Sequence, residues 1–198
     1  MNCEYCGKDT IYKCGVCGEF LCGEHAKLRT VCPSCAEKTR VEYAVVKVTT
    51  DGERSKIREL VQRFWGEEEQ LAFDREFMVA ELPSYIAIAG NSIAGFVSFE
   101  ESGNTIIIVA LGILPKYQSS GIGSGLIRKV EADAKKMRKR KLLVSTSNDD
   151  LPALAFYQSL GFQLFEVKTD VIAEKHGKIV EGIGGLPVRD ELRLRKIL

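Results

Sequence analysis

The chain has 198 residues, of which 45% are apolar, and a formal net charge of +1. This length and composition suffice for one ordinary domain plus a small module, and a near-neutral chain without an acidic or basic tail argues against a nucleic-acid partner. No run of about 18 apolar residues occurs, and the opening residues MNCEYCGKDT lack the apolar segment of a signal peptide, so we expect a cytoplasmic protein with no membrane partner.

Cysteine is confined to the beginning of the chain. All seven cysteines lie between Cys3 and Cys35, one of the two histidines, His25, lies among them, and residues 36–198 contain no cysteine. This segregation predicts two modules, which we place at residues 1–40 and 41–198.

The cysteines and His25 form four pairs, and two residues separate the members of each pair. These pairs are Cys3 and Cys6, Cys14 and Cys17, Cys22 and His25, and Cys32 and Cys35. The short gap lets both members of a pair reach one metal ion, and eight thiolate or imidazole ligands complete two tetrahedral zinc sites. With four protein ligands each, both zinc ions are expected to be structural. The alternative is a disulfide framework, which would leave one cysteine over.

The spacing leaves two arrangements of the four pairs open, because either consecutive or alternate pairs could share a zinc ion. The run from Cys14 to His25 resembles the AN1 and B-box class of cross-brace zinc fingers, and that resemblance implies interleaved pairs. One zinc would then be bound by Cys3, Cys6, Cys22 and His25, and the other by Cys14, Cys17, Cys32 and Cys35.

The second module begins with a strand pattern at residues 43–49, YAVVKVT. Thr50 and Glu53 then have the spacing of a capping box, and apolar residues at helical spacing continue to Trp65. A second helix is predicted at 67–79. Three strands with hairpin-type turns between them follow, so they should be antiparallel.

These three strands are predicted at 85–89, 93–101 and 105–113, followed by a helix at about 122–139, a strand at 141–147, a helix at 151–160, and strands at 162–169 and 189–196. This order of elements predicts an α/β fold in which one sheet carries helices on both faces.

A glycine-rich stretch, QSSGIGSG, lies between the strand at 105–113 and the helix that follows. Glycine lets the backbone approach a ligand closely, and the first turn of a helix offers free N–H groups and a dipole that attract phosphate. The stretch lacks the Gly-Lys-Ser/Thr of a Walker A motif and follows antiparallel strands, which does not fit a dinucleotide-binding motif. By itself it is equally consistent with a plain tight turn.

The segment from Gln118 to Gly123 closely resembles the Q/R-x-x-G-x-G/A pyrophosphate loop of the GNAT superfamily of N-acetyltransferases. Asn148, the Phe156-Tyr157 pair and the Gly161-Phe162 pair resemble the second signature of that superfamily. The resemblance covers about residues 43–198 and implies a mixed, largely antiparallel GNAT-type sheet that binds acetyl-CoA.

The resemblance also implies roles for individual residues. Backbone groups of Leu111, Gly112 and Ile113 would bind the pantetheine arm and the acetyl carbonyl, and Asn148 would touch the cofactor. The pyrophosphate would be held by the loop, which comprises Gln118, Ser119, Ser120, Gly121, Ile122, Gly123 and Ser124. Tyr157 would be the general acid, because a phenol stays protonated at neutral pH and can give its proton to a leaving thiolate. A core aromatic residue on an amphipathic helix is the alternative for Tyr157.

Many GNAT proteins use a glutamate of the central strand as the general base, and the strand from Thr105 to Ile113 has no carboxylate. Glu100 and Glu101 are the nearest candidates, although alternation along a strand lets at most one of them point inward. A water-mediated route, or an amine that arrives neutral, is equally open.

We therefore predict an acetyl-CoA-dependent N-acetyltransferase that acts on a protein or small-molecule amine, with a structural two-zinc module that binds a partner. The alternative is a non-catalytic adaptor that binds acetyl-CoA and recruits a protein through the zinc module. Fold does not identify the acceptor.

Overall fold

The computed structural model of the chain describes residues 2–9, 12–13, 19–22, 34 and 40–198. In this part of the chain the α-helices are Asp51–Trp65 (α1), Ile122–Lys136 (α2), Leu151–Ser159 (α3) and Val171–His176 (α4). The strands are Tyr12–Lys13 (β1), Phe20–Leu21 (β2), Ala44–Lys47 (β3), Glu69–Ala72 (β4), Arg75–Met78 (β5), Ser84–Ala89 (β6), Ser92–Ser102 (β7), Thr105–Ile113 (β8), Lys141–Ser147 (β9), Gln163–Lys168 (β10), Val180–Glu181 (β11), Pro187–Val188 (β12) and Glu191–Ile197 (β13).

One sheet in the described residues has seven strands in the order β10-β13-β9-β8-β7-β6-β3. Its neighbouring strands are antiparallel except β8 and β9, which are parallel and are joined by a crossover through α2. The seven strands predicted in the second module are the strands of this sheet, and the mixed, largely antiparallel arrangement is confirmed.

Helix α1 packs on one face of the sheet. The predicted capping box is present, because the Thr50 side chain accepts a hydrogen bond from the Glu53 backbone and the Glu53 carboxylate accepts one from the Thr50 backbone. Ile57 and Val61 are fully buried against a cluster that includes Phe96 of β7. The helix ends at Gly66, whose φ of 76° places it in the left-handed region.

Helices α2 and α3 pack on the opposite face of the sheet. Ile122, Leu126 and Val130 of α2 are completely buried in the larger core, and Tyr157 of α3 belongs to the same cluster. The two cores lie on opposite faces because side chains alternate along β6 and β7: for example, Phe96 belongs to the α1 side and its neighbour Val97 to the α2 side. The predicted helices on both faces are therefore present.

The helix predicted at 67–79 is wrong, because β4 and β5 form an antiparallel hairpin there. Its two turn residues, Phe73 and Asp74, have φ values of 53° and 60°, as a two-residue hairpin turn of the type with two positive φ values requires. Ala72 and Phe77 are buried in a small cluster with Leu82. The glutamate-rich sequence favours a helix locally, but packing of these apolar side chains overrides that preference.

A buried arginine of β13 holds the tip of the hairpin. The Arg193 side chain is 5% exposed, and its Nε donates to Oε2 of Glu191 at 2.9 Å. Its Nη2 lies 2.8 Å from Oδ1 of Asp74, and its Nη1 donates to Oε2 of Glu166 at 3.1 Å. The second oxygen of Glu191 accepts a hydrogen bond from the backbone N–H of Phe73 at 2.9 Å. The hydrogen bond from Arg193 also keeps the pKa of Asp74 below its usual value.

The connection between β10 and β13, residues 169–190, contains α4, β11 and β12, which the sequence did not predict. Within the described residues, none of the helices combines the length and apolar character needed to cross a membrane.

Arg193 provides a test of how much the buried ion cluster stabilises the fold. Arg193→Leu should lower the free energy of unfolding by about 3–5 kcal/mol, because it leaves the buried Glu191 carboxylate without its cationic partner. Urea denaturation followed by circular dichroism measures this change. Arg195 lies on the same strand but is exposed, so Arg195→Leu should cost less than about 1 kcal/mol. Equal losses in the two variants would contradict a special role for the buried cluster.

Candidate active site

The two parallel strands at the centre of the sheet separate part of the way along their length. In the described structure their pairing runs from Thr105↔Lys141 to Ile108↔Val144 and stops there. Strand β8 continues to Ile113 and β9 to Ser147. We call the gap between residues 109–113 and residues 145–147 the strand opening.

A β-bulge at Val109 coincides with the start of the strand opening. On the β7 side the register passes from Phe99↔Ile108 to Ser98↔Ala110, so Val109 is an extra residue in β8. A bulge bends its strand and increases the local twist. It also reverses the alternation here, because Ile108 packs in the core under α2 whereas Ala110 packs in the core under α1. The bulge therefore accounts for the direction in which β8 leaves β9.

Leu111, Gly112 and Ile113, the predicted cofactor contacts on the central strand, lie on the β8 side of the strand opening. Leu111 and Ile113 pack towards the α2 side. A Cβ atom at Gly112 would lie 2.6 Å from the ring of Phe64. Glycine at this position therefore lets an aromatic residue of α1 cover the β8 backbone at the opening.

The predicted phosphate loop connects the end of β8 to the start of α2. The side-chain amide of Gln118 donates to the Ile113 carbonyl at 3.2 Å, and the Ser120 hydroxyl donates to the Tyr117 carbonyl at 2.5 Å. Helix α2 begins at Ile122, and its N-cap is Gly121, which has no side chain to satisfy the first N–H groups. The loop therefore presents backbone donors and the positive end of the helix dipole next to the strand opening.

The three glycines of residues 118–125 are each required for a different structural reason. Gly121 has a φ of 88°, which favours glycine. A Cβ atom at Gly123 would lie 3.3 Å from the ring of Phe156, so this residue allows α2 and α3 to approach. A Cβ atom at Gly125 would overlap the hydroxyl of Tyr43, which donates to the Gly121 carbonyl at 3.3 Å. Sequence reasoning missed Tyr43, because only the folded chain brings residue 43 to this helix.

Asn148, predicted to touch the cofactor, follows β9 at the open end of the sheet. Its Nδ2 donates to the Pro187 carbonyl at 2.7 Å, and its Oδ1 accepts from the backbone N–H groups of Arg189 and Asp190, both at 2.9 Å. These three bonds take up most of the four that an amide side chain can make. The structure thus places the Asn148 side chain against the segment that precedes β13.

Asp150 is the N-cap of the following helix, α3, and Tyr157 lies within that helix. The Asp150 side chain accepts from the Ala153 backbone and caps the helix, and burial raises its pKa above the usual value. Tyr157 is 6% exposed and packs edge-on against the rings of Phe156 and Phe162. Burial, with a smaller contribution from the negative charge of Asp150, raises the pKa of Tyr157 above its usual value near 10. The phenol therefore stays protonated throughout the neutral range.

Glu100 and Glu101, the candidate bases, lie towards the other end of β7. They are paired in register with Ile107 and Ile106, where β8 and β9 are still joined. Glu100 forms an ion pair with Arg75 at 3.3 Å, and Glu101 forms one with Lys139 at 3.1 Å. The structure therefore does not bring either carboxylate to the strand opening.

Three of the eight predicted zinc ligands are described, and they lie together. The sulfur atoms of Cys3, Cys6 and Cys22 are all within 4.8 Å of one another, and those of Cys6 and Cys22 are 3.6 Å apart. Tetrahedral zinc with Zn–S bonds of about 2.3 Å separates two sulfurs by about 3.8 Å, which is close to the distance between Cys6 and Cys22. The other predicted ligands lie outside the described residues: Cys14, Cys17, His25, Cys32 and Cys35.

Comparison with known sequences gives a family for most of the second module. The model of the Acetyltransferase (GNAT) family matches residues 54–162. Two Bacillus subtilis (strain 168) proteins are similar to the chain. YdhI is 28% identical over 142 residues, 69% of this chain and 87% of YdhI. YxbD is 30% identical over 143 residues, 69% of this chain and 88% of YxbD.

Solved structures show the same fold at lower identity. An IAA acetyltransferase from Bacillus cereus ATCC 14579 has a TM-score of 0.67 at 24% identity, over 79% of this chain and all of that one. A Bacillus subtilis acetyltransferase in complex with CoA has a TM-score of 0.60 at 20% identity, over 80% and 99% of the two chains. Arabidopsis thaliana Naa50, in complex with the bisubstrate analogue CoA-Ac-MVNAL, has a TM-score of 0.60 at 16% identity, over 79% and 99%. With its strand opening beside a glycine-capped helix, and with the family model matched over more than half its length, this chain belongs to the GNAT family of acetyltransferases.

Proposed function

We propose that this acetyltransferase moves the acetyl group of acetyl-CoA to an amine by direct attack. The observation that carries the proposal is the strand opening at Val109, which lies beside the N-terminus of α2. Backbone groups released from the β8–β9 ladder need hydrogen-bond partners, and the amide-like pantetheine arm supplies them. A Bacillus subtilis acetyltransferase of the same fold was solved in complex with CoA, which supports CoA as the ligand.

The loop and the opening would hold the two ends of the cosubstrate. The N–H groups of residues 122–124, at the first turn of α2, would bind the pyrophosphate with Gln118, Ser119, Ser120 and Gly121 shaping the turn. Backbone groups of Leu111, Gly112 and Ile113 would hold the arm and stabilise the oxyanion that develops on the thioester carbonyl. Because the thioester arrives activated, positioning of the two reactants supplies most of the rate acceleration.

The chemical step exchanges one bond for another. The amine nitrogen forms a bond to the carbonyl carbon, the carbon–sulfur bond breaks, and the electron pair leaves with the sulfur. Tyr157 would give a proton, or a strong hydrogen bond, to that thiolate. Because burial raises the pKa of the phenol, Tyr157 keeps its proton at neutral pH until the thiolate forms.

The amine must also lose a proton. Both candidate glutamates are engaged in ion pairs and lie where β8 and β9 are still joined. We therefore assign to water, ahead of Glu100 or Glu101, the removal of the proton that the nitrogen loses when the amide forms. An amine that binds in its neutral form needs no earlier deprotonation.

We also propose that residues 1–40 form a separate module with two structural zinc ions and a partner-binding role. The clustering of Cys22 with Cys3 and Cys6 supports the interleaved arrangement, because consecutive pairing would put Cys22 in the other site. A module of this kind favours a protein amine as the acceptor. The fold is compatible with such a substrate, since Naa50 was solved with a CoA-Ac-MVNAL bisubstrate analogue.

Release of free CoA decides between the transferase and an adaptor that only binds acetyl-CoA. Purified protein with acetyl-CoA should release thiol in the presence of an amine from a panel of peptides and small amines. Tight binding of acetyl-CoA by calorimetry, without thiol release for any amine, would instead support the adaptor.

Gly123→Val tests the phosphate loop. A branched side chain on the second residue of α2 should weaken acetyl-CoA binding at least about tenfold, because it blocks the backbone from the pyrophosphate and presses on Phe156. Gly52 is the matched control, since it is also the second residue of a 15-residue helix and a Cβ there meets nothing within 4 Å in the described structure. Calorimetry should show unchanged affinity for Gly52→Val. If the Gly123→Val protein folds and binds acetyl-CoA with the wild-type dissociation constant, the glycines serve only the packing of the turn and the helices.

Tyr157→Phe tests the proton donor. Loss of the hydroxyl should lower kcat at least about tenfold and leave the acetyl-CoA dissociation constant unchanged, because general-acid catalysis acts in the transition state. Tyr85→Phe is the control, since it also removes a tyrosine hydroxyl, here one bonded to Asp133, from β6, which β7 separates from β8. It should lower stability by roughly 1 kcal/mol without lowering kcat. If Tyr157→Phe has the wild-type kcat under conditions where the chemical step limits the rate, Tyr157 is a core residue and does not donate the proton.

Metal content tests the zinc module. Protein purified without chelators should contain two zinc ions per chain, each contributing on the order of 10 kcal/mol to folding of the module. Cys22→Ser should release one zinc and leave acetyl-CoA binding intact, because the acetyltransferase fold has its own cores. Elemental analysis that finds no zinc, together with cysteines oxidised in pairs, would disprove the metal sites.

A further inference from the structure

Residues 169–190 lie at the open end of the sheet. Strand β13 begins at Glu191 directly opposite Ser147, the last residue of β9, and β10 ends at Lys168, also opposite Glu191. The pairing of β9 with β8 is lost towards this same end. The connection between β10 and β13 therefore borders the strand opening.

This connection has little regular structure of its own. It consists of a six-residue helix, two strands of two residues each, and the turn between these strands. Such short elements bury little surface, so side-chain contacts with the rest of the fold must fix their position.

Two consecutive residues after β9 supply the contacts of the second half of this connection. Asn148 binds the segment at three backbone positions, through the Pro187 carbonyl and the N–H groups of Arg189 and Asp190. The backbone N–H of Asn148 also donates to the Asp190 carbonyl at 3.0 Å. Asn148 thus bonds three of the last four residues before β13.

Asp149 binds the other half of the same segment. The side chain is 5% exposed, and its Oδ2 accepts from the backbone N–H of Ile183 at 3.0 Å. A Cβ atom at Gly182 would overlap this carboxylate. Glycine at 182 is therefore needed for the segment to lie against Asp149.

We propose that Asn148 and Asp149 are positioning residues that hold residues 182–190 in place as the wall of the amine-binding side of the strand opening. The proposal rests on the transferase function proposed above. Asn148 then binds residues 187–190 of this wall and not the cofactor, because three of the four hydrogen bonds of its amide are already made within the protein. We call this set of hydrogen bonds the clamp. Loss of the clamp should loosen the wall and admit water, while binding of acetyl-CoA is preserved.

Three variants separate the two roles of Asn148. Asn148→Ala removes the clamp. Asn148→Asp keeps an oxygen that accepts from Arg189 and Asp190 and loses the donor to Pro187. Asn104→Ala is the control, because Asn104 lies in the turn between β7 and β8 at the other end of the sheet.

Hydrogen exchange, calorimetry and hydrolysis of acetyl-CoA provide the measurements. In Asn148→Ala the amides of Arg189 and Asp190 should exchange about tenfold faster or more, while the acetyl-CoA dissociation constant stays within about twofold of wild type. Hydrolysis at saturating acetyl-CoA, followed by thiol release without an amine, should rise about threefold or more because closure of a site excludes water. Asn148→Asp should restore slow exchange at both amides, and Asn104→Ala should match wild type throughout.

Two results would overturn the proposal. One is a loss of acetyl-CoA affinity in Asn148→Ala with unchanged exchange at residues 189 and 190, which would return Asn148 to the cofactor site. The other is faster exchange without any rise in hydrolysis, which would mean that the segment does not shield the reacting carbonyl. A wild-type protein that fails to bind acetyl-CoA would instead contradict the proposed function itself.

Discussion

One extra residue in a central strand determines the architecture of the candidate site. Val109 breaks the register between β7 and β8, and β8 leaves β9 immediately afterwards. A sheet normally satisfies its backbone groups with its own neighbours, so an interior gap is unfavourable unless something else fills it. The glycine-capped start of α2 lies next to this gap. A ligand with an extended amide-containing arm and an anionic end is complementary to both features.

The two sides of the strand opening are held by different means. On the α1 side, close contact between Gly112 and Phe64 brings an aromatic residue over the β8 backbone. On the β13 side, the contacts are polar. Arg193 and Glu191 bind the β4–β5 hairpin. Asn148 and Asp149 bind the segment before β13. Buried polar contacts have strict geometry and fix one arrangement more narrowly than apolar packing does. The wall formed by these irregular segments can therefore be well defined although it contains little secondary structure.

Periodicity predicted the sheet well, because helices cover the faces of its central strands, which therefore have apolar sequences. The capping box at Thr50 and the start of α2 were also readable, since they depend on residues close in sequence. The hairpin at residues 69–78 was not, because its glutamates favour a helix locally and its conformation depends on contacts with Arg193 and Glu191 more than a hundred residues away. The resemblance to the GNAT superfamily singled out Leu111 to Ile113 on the central strand. The bulge at Val109 that opens the strands, in contrast, has no recognisable pattern in the sequence. Likewise Asn148 was recognisable as a motif residue, whereas its partners at 187–190 were not.

Strand β13 is inserted between β9 and β10, although it follows both of them in the chain. A ribosome therefore delivers two strands that cannot yet be neighbours, and β9 has an open edge until β13 emerges. During that interval the hairpin lacks Arg193 and Glu191, and Asn148 lacks the backbone that it binds. The sheet, the hairpin and the wall beside the strand opening can thus be completed only in one late event, which couples the formation of the acceptor side to the end of folding.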